Sequence, residues 1–243
     1  MQKLTDPDPF ADALEAFLET GKASLEIERD DRWKNTENVA WYFTNFPDFW
    51  AIEKPALKFA RGRVLDVGCG AGRIALYLQR KGLRVTAVDS SPRVAALASA
   101  RGVRDVRVVS AKKRLPFLRG EFETILLFGN NLGICGNRAG LEKMLCEFAR
   151  VTNQNARILA TTRAPGMFNP RHRAYWKWKL ERGGEMGVAR LRLKFGASEK
   201  EFDWFWIAPS ELMQVAWKNG WRVAEIFGDG RAEQGYSVVL EKV

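Results

Sequence analysis

The sequence is poor in the residues that build disulfide frameworks, metal sites and membrane spans. It has three cysteines without CxxC spacing, so we expect no disulfide scaffold, no zinc site and a reducing, cytoplasmic location. It has one histidine, and no stretch approaches the roughly 18 apolar residues that a membrane helix needs. Its start, MQKLTDPDPF, lacks the apolar core of a signal peptide. Export and membrane insertion are therefore not expected.

Acidic residues are outnumbered, with 39 Lys and Arg against 29 Asp and Glu, for a net charge of +10. Such a balance favours anionic partners, including nucleic acid, acidic lipid and acidic metabolites. The basic residues are spread along the chain, however, so general solubility or adaptation to heat explains the charge equally well. With 243 residues, 46% of them hydrophobic, the chain is long enough to bury a sizeable core.

Strand-like and helical patterns alternate between residues 63 and 163. Short runs rich in Val, Ile and Leu predict strands at 63–67, 84–89, 105–109, 122–128 and 156–163. Helical spacing, with Pro or Gly at several ends, predicts helices at 72–82, 92–102 and 138–152. This alternation predicts a parallel sheet with helices on both faces, in which ligands bind at the carboxyl ends of the strands.

Flanking segments are predicted to extend this core without forming a second domain. Residues 1–60 read as a mostly helical extension, in which Asp8 and Pro9 open a first helix. Residues 164–207 read as an insertion that covers the ligand-binding edge and contains a hairpin. A helix and two antiparallel strands follow. We therefore predict a single domain over residues 1–243.

The strongest motif is VLDVGCGAGR (64–73), in which a strand turns through Gly68, Gly70 and Gly72 into a helix. Glycines allow a ligand to approach the backbone closely, and the free N–H groups of the next helix point at it. The spacing G-x-G-x-G differs from the dinucleotide fingerprint, and no P-loop lysine follows. Asp66, just before the glycines, would repel a pyrophosphate but suits a cationic group. Asp89 ends the next strand, where a carboxylate can accept both ribose hydroxyls of a nucleoside.

VLDVGCGAG followed by a strand-terminal Asp resembles the class I S-adenosylmethionine-dependent methyltransferases. The resemblance implies a doubly wound, Rossmann-like sheet of seven mostly parallel strands with an antiparallel last strand. It also implies S-adenosylmethionine as cofactor and methyl transfer as the activity. Stretches such as GNNLG and FDWFWIAPSEL further resemble a small, largely uncharacterised microbial subgroup, which implies no particular substrate.

The resemblance also assigns cofactor contacts position by position. The methionyl part falls to Asp66 and the bend, the ribose to Asp89 and the adenine to residues after the second and third strands. Ser110 stands where the family usually has an acidic residue for the adenine amino group, so the contact there would come from its hydroxyl and the Ala111 backbone. The implied residues are Asp66, Gly68, Cys69, Gly70, Gly72, Asp89, Ser90, Ser110 and Ala111.

The loop after the fourth strand, FGNNLGICG (128–136), lies at the predicted ligand edge. Asn and Gly form turns, yet at this edge we interpret Asn130 and Asn131 as contacts to cofactor or substrate. The loop lacks the [DN]-P-P-[YFW] motif of enzymes that methylate exocyclic base amines. Cys135 does not follow a proline, so we interpret it and Cys146 as small apolar residues.

Candidates for catalysis are less well defined. His172 is either a general base or one member of a basic surface cluster. Tyr175 is a second candidate, and Arg163, at the end of the fifth strand, can hold an acidic substrate group. The aromatic stretch 37–50 is expected mostly to pack against the body, with Tyr42 and Phe43 as candidate substrate contacts. No cluster of oxygen ligands occurs, so we predict no metal.

Three functions remain open at this point. The favoured one is an enzyme that methylates nitrogen or oxygen of a small molecule. The second is a methyltransferase of RNA or protein, because residues 171–184 interleave basic and aromatic residues as a stacking surface would. That stretch also fits an amphipathic helix with core tryptophans. The third is a cofactor-binding protein without catalysis. The sequence leaves the oligomeric state open.

Overall fold

A computed structural model describes residues 6–165, 170–228 and 235–243. The strands are β1 (Ser24–Arg29), β2 (Lys34–Asn38), β3 (Arg63–Val67), β4 (Arg84–Asp89), β5 (Asp105–Val108), β6 (Phe122–Leu127), β7 (Thr152–Thr162), β8 (Val188–Phe195), β9 (Ser198–Phe205), β10 (Trp221–Gly228) and β11 (Tyr236–Lys242). The α-helices are α1 (Pro9–Thr20), α2 (Glu53–Leu57), α3 (Arg73–Arg80), α4 (Pro92–Ala100), α5 (Arg138–Val151), α6 (Pro170–Glu181) and α7 (Pro209–Lys218). Short 3₁₀ helices cover Val39–Phe43, Phe46–Asp48 and Asn131–Cys135. Within the described ranges, none of the helices has the length and apolarity that a bilayer crossing requires.

Seven strands form the main sheet, in the order β10-β11-β7-β6-β3-β4-β5. The neighbours β4 and β5 run parallel, as do β6 and β7, whereas β11 is antiparallel to both β7 and β10. Strands such as β6 are buried at nearly every position because helices cover both faces of a parallel sheet. The predicted seven-stranded, doubly wound sheet with an antiparallel last strand is confirmed.

Four further strands form a second sheet, in the order β2-β1-β8-β9. The hairpin predicted inside the insertion is confirmed as β8 and β9, while residues 166–169 of that insertion lie outside the described ranges. The prediction of a mostly helical extension is wrong for residues 24–29 and 34–38, which form β1 and β2. These residues are strands because Ile27 of β1 pairs with Leu193 of β8, and Leu25 of β1 is buried in an apolar cluster that Leu193 packs against.

The chain divides into two compact units. Unit 1 comprises the chain up to residue 48 together with residues 66–110 and 190–202, and unit 2 comprises 49–65, 111–189 and 203–243. In unit 1, apolar residues of α1, α4 and β1 form one buried cluster with Val39 and Ala71. In unit 2, the buried Trp221 donates its Nε1–H to the carbonyl of Leu145 at 3.1 Å. That all 243 residues act as a single domain, with an insertion over the ligand edge, stays a prediction.

Two helix caps in unit 1 are joined to each other. Asp8 Oδ1 accepts a hydrogen bond from Ala11 N (3.1 Å) and caps α1 as predicted, while its Oδ2 accepts one from the Ser91 hydroxyl. Ser91 Oγ in turn accepts from Val94 N (3.2 Å) and caps α4. Arg93 adds ion pairs from α4 to Asp12 and Glu15 of α1. The first turns of α1 and α4 are thus held together by polar contacts.

Removing this shared cap is expected to lower the free energy of unfolding more than removing an ordinary helix cap does. We expect Asp8→Ala to lower the free energy of unfolding by about 2 kcal/mol, since the cap and the Ser91 contact are both lost. Asp8→Ser keeps a capping oxygen but is too short to reach Ser91, so about half of that loss should return. Urea denaturation measures both variants. Full recovery in Asp8→Ser would show that the link to Ser91 contributes nothing, whereas equal losses for the two variants would show the same of the capping oxygen.

Candidate cofactor and active site

The glycine bend is tied to the end of β4 by its own backbone. Gly68 N and Cys69 N both donate to the carbonyl of Val88, at 2.8 and 3.0 Å. Gly70 N donates to Asp89 Oδ2 at 3.3 Å. The bend has positive φ at Gly68, Gly70 and Gly72, a conformation that a side chain would strain. The structure therefore brings the predicted bend and the predicted ribose carboxylate into direct contact.

Two carboxylates give this bend a negative environment. Asp66 is buried, and both Asp66 and Asp89 act on the Cys69 thiol, whose pKa is raised chiefly by burial and then by these charges. Burial raises the pKa of Asp89 itself to about 6, and the charge of Asp8 adds to this effect. Hydrogen bonds from Ser91 N and Gly70 N oppose it. Such surroundings favour a cationic ligand over a pyrophosphate.

Aromatic side chains from the N-terminal segment lie against the bend. A methyl group placed on Gly70 would be 3.8 Å from Phe10 Cζ and 3.9 Å from Tyr42 Cδ1, which is ordinary van der Waals contact. The two rings meet edge to face, with centroids 4.9 Å apart. Beside them, the guanidinium of Arg73 lies 3.6 Å from the centroid of the Trp41 ring. Phe10 was missed as a site residue because its only signal in the sequence is the apolar spacing of α1.

The two candidate substrate contacts differ in their surroundings. Tyr42 lies at the bend, and its pKa is raised well above the usual value by burial and by the neighbouring Glu37. Phe43 instead stacks on Phe17, with centroids 4.6 Å apart, and its ring lies 4.6 Å from the Arg101 guanidinium. Within unit 1, Tyr42 thus lies at the bend and Phe43 packs on Phe17, and both stay predicted substrate contacts.

The remaining adenine candidates follow strands β4 and β5. Ser90 is exposed directly after Asp89, and Ser110 is half-buried two residues beyond β5. Val109 N donates to the carbonyl of Asp89 at 2.8 Å, which fixes the backbone just before Ser110. Ala111 is buried and belongs to unit 2. The adenine contacts stay predictions.

Asn130 carries an unusual signal in unit 2. Its φ is 63°, and its N–H donates to Thr161 Oγ1 at 2.7 Å, which fixes the loop against β7. Its side-chain Oδ1 is buried, and in the part of the chain that the structure describes it has no hydrogen-bond partner. Buried polar atoms are nearly always satisfied, so this oxygen at the end of β6 is a candidate contact for a bound molecule. Asn131 opens the 3₁₀ helix that follows.

The candidates for catalysis lie in different surroundings within unit 2. Arg163 directly follows β7, and its carbonyl accepts from Ile207 N at 3.0 Å. His172 is half-buried on α6, and its ring centroid lies 6.2 Å from that of Trp206. Tyr175 and Trp176 are both 2% exposed, as expected for an amphipathic helix with core aromatics. These two rings are therefore not available as a stacking surface for nucleic acid.

Neither thiol chemistry nor a protein-held metal is indicated by the described residues. Cys135 is buried, its thiol donates to the carbonyl of Leu132 at 3.2 Å, and burial raises its pKa to about 12. A thiol in this state is a poor nucleophile at neutral pH. In the ranges that the structure covers, no group of three or more His, Cys, Asp or Glu is placed to hold a metal ion.

Comparison with known proteins agrees with this geometry. Residues 64–155 match the family model described as a methyltransferase domain. Trans-aconitate 2-methyltransferase of Mycobacterium tuberculosis (strain ATCC 25177 / H37Ra) is 41% identical over 61 residues, covering 24% of this chain and 23% of that protein. Ubiquinone biosynthesis O-methyltransferase of Xanthomonas oryzae pv. oryzae (strain PXO99A) is 35% identical over 74 residues, 28% of this chain and 31% of that protein. The chain thus aligns with about a quarter to a third of the length of these curated relatives.

The similarity to a solved structure extends over nearly the whole chain. A SAM-dependent methyltransferase from Bacteroides fragilis, crystallised with S-adenosyl-L-homocysteine, superposes with a TM-score of 0.80 at 24% identity. The superposition covers 98% of this chain and 94% of that one, and it shows a common fold. The matched domain, the strand order and the glycine bend against Asp89 thus agree on a methyltransferase fold with a methyltransferase domain at residues 64–155.

Proposed function

We propose that this protein transfers a methyl group from S-adenosylmethionine to a nitrogen or oxygen atom of a small molecule. The observation that carries the proposal is the glycine bend between two carboxylates, in which Gly70 N–H is held by Asp89. By their names, the curated relatives act on trans-aconitate and in ubiquinone biosynthesis, and both names denote small molecules. These names support the acceptor class but do not identify the acceptor.

Residues of the chain would bind and orient the two reactants. The cofactor supplies a methyl group that its sulfonium already activates, so correct positioning provides much of the rate. Asp89 would accept the ribose hydroxyls, and Asp66 with the backbone of the bend would hold the methionyl part. The buried Oδ1 of Asn130 can accept a hydrogen bond from an N–H or O–H of the acceptor. His172 remains the candidate general base, and Arg163 the candidate partner for an acidic acceptor.

The two other functions are less well supported. The stacking surface for RNA would use Tyr175, Trp176 and Trp178, and the first two are buried while Trp178 is half-buried. A cofactor-binding protein without catalysis is less well supported because the curated relatives are named as methyltransferases. Both remain outcomes of the test below.

Calorimetric titration with S-adenosylhomocysteine, the product form of the cofactor, tests the proposal. We expect saturable binding in the micromolar range, and no binding of NAD, because the carboxylates of Asp66 and Asp89 beside the bend would repel a pyrophosphate. Incubation with labelled S-adenosylmethionine and pools of small amines, acids and phenols should then transfer label to one class. Binding of NAD but not S-adenosylhomocysteine would overturn the proposal. Salt-dependent binding of RNA with label transfer to it would favour the second function instead.

A further inference from the structure

The position of the sulfonium in the site follows from the order of groups in the cofactor. Its sulfur joins the methionyl part to the ribose. If Asp89 binds the ribose and the bend binds the methionyl part, the sulfur would lie close to the residue of the bend that contacts Asp89. That residue is Gly70, which is part of the bend and whose N–H donates to Asp89 at 3.3 Å.

Gly70 is also the residue against which Phe10 and Tyr42 pack. Both rings reach within 4 Å of the position that a side chain on Gly70 would occupy. Both residues are half-buried. The carboxylate of Glu37 lies beside the Tyr42 hydroxyl and adds negative charge to this side of the bend. Aromatic rings and carboxylates together are the surroundings in which proteins bind onium cations.

We propose that Phe10 and Tyr42 recognise the positive charge of the sulfonium, so that the protein binds S-adenosylmethionine more tightly than the neutral product S-adenosylhomocysteine. This inference rests on the proposed function. It assigns Tyr42 to the cofactor, where the sequence offered it as a substrate contact, and it adds Phe10. The consequence is that transfer of the methyl group weakens binding of the cofactor product and favours its release.

Three ligands separate recognition of charge from simple packing. S-adenosylmethionine carries the sulfonium, sinefungin carries a protonated amine near the same place, and S-adenosylhomocysteine is neutral there. We expect Tyr42→Leu to weaken binding of the two cations about three- to thirtyfold, the range of cation–π contacts, and that of S-adenosylhomocysteine less than twofold. Tyr42→Phe keeps the ring and should retain most of the preference. Calorimetry without a methyl acceptor measures all affinities.

Matched variants complete the test. Phe17→Leu removes another ring of α1, one that stacks on Phe43, and should not alter the ratio of the three affinities. Phe10→Leu should reduce the preference for cations as Tyr42→Leu does. If Tyr42→Leu and Phe10→Leu each lower the affinity for all three ligands equally, the rings contribute packing and do not recognise charge. That result would overturn this inference alone. If the wild-type protein binds none of the three, the proposed function fails with it.

Discussion

Replacing Asp89 with alanine is expected to lower the affinity for S-adenosylhomocysteine by at least about 100-fold while the protein remains folded. In the proposed function the carboxylate would accept two ribose hydroxyls, and each charge-assisted hydrogen bond contributes about 1.5–3 kcal/mol. The variant also leaves Gly70 N and Ser91 N without their carboxylate acceptor, which loosens the bend. Isothermal calorimetry measures the affinity, and a thermal unfolding transition checks the fold.

The same carboxyl group should make the wild-type affinity depend on pH. Its pKa is about 6 before the ligand binds, and only the ionised form accepts both hydroxyls. The affinity for S-adenosylhomocysteine should therefore fall as the pH is lowered through 6, by up to about tenfold per unit, and the Asp89→Ala variant should lack this slope.

The free energy of unfolding of the ligand-free protein should instead rise as the pH is lowered through 6. A folded-state pKa above the unfolded value means that protonation below pH 6 stabilises the fold.

Asp105→Ala provides the matched control for Asp89. Asp105 opens the neighbouring strand β5, where it accepts a hydrogen bond from Thr86 Oγ1 at 2.7 Å and pairs with Arg107. Asp105→Ala removes one carboxylate from unit 1, as Asp89→Ala does, but it removes no hydrogen bond to the glycine bend. We expect less than a twofold change in affinity for S-adenosylhomocysteine. If Asp89→Ala binds as tightly as Asp105→Ala, the ribose lies elsewhere.

The second large effect is expected at Gly72, where the bend enters α3. Its φ is 79°, and a Cβ there would lie 2.6 Å from Cγ2 of the buried Val103. We expect Gly72→Ala to lower the free energy of unfolding by about 3 kcal/mol. The left-handed conformation accounts for about 1 kcal/mol of this and the clash for the remainder. Urea denaturation of the ligand-free protein measures it.

Gly82, after α3, separates these two contributions. Its φ is 86°, but nothing lies within 4 Å of a Cβ placed on it, so Gly82→Ala should cost only about 1 kcal/mol. Val103→Ala removes the clashing methyl groups, so the double variant Gly72→Ala/Val103→Ala should be less destabilised than the sum of the two single changes. Strict additivity would mean that crowding against Val103 does not limit residue 72.

The sequence predicted the main sheet well because its strands are apolar on both faces and bounded by glycine, proline and charged residues. β4 has the bounds that RVTAVD indicates, and α5 ends within one residue of its prediction. β7 begins earlier than its apolar run, at Thr152, because Phe122 of β6 pairs with that residue. The polar residues between Thr152 and Ala156 carry no strand signal of their own, so this part of β7 depends on tertiary pairing.

The second sheet could not be predicted from local patterns. β2 has the sequence KNTEN, which favours turns, and it is a strand because it pairs with β1. For the site, the glycine spacing identified the bend, and Asp89 followed from its distance along the chain. The approach of Phe10 and Tyr42 to Gly70 depends on how α1 and the 3₁₀ helix after β2 pack onto the bend. No motif encodes that packing.

The pairing of Ile27 with Leu193 has a consequence for synthesis of the protein in the cell. β1 leaves the ribosome long before β8 is synthesised. The edge of β1 that pairs with β8 therefore stays unpaired, and Leu25 incompletely buried, until most of the chain has been translated. During that interval an unpaired strand edge is open to association with other nascent chains. The charged residues Glu26 and Glu28, which later meet Lys194, are well placed to discourage such contacts until β8 emerges.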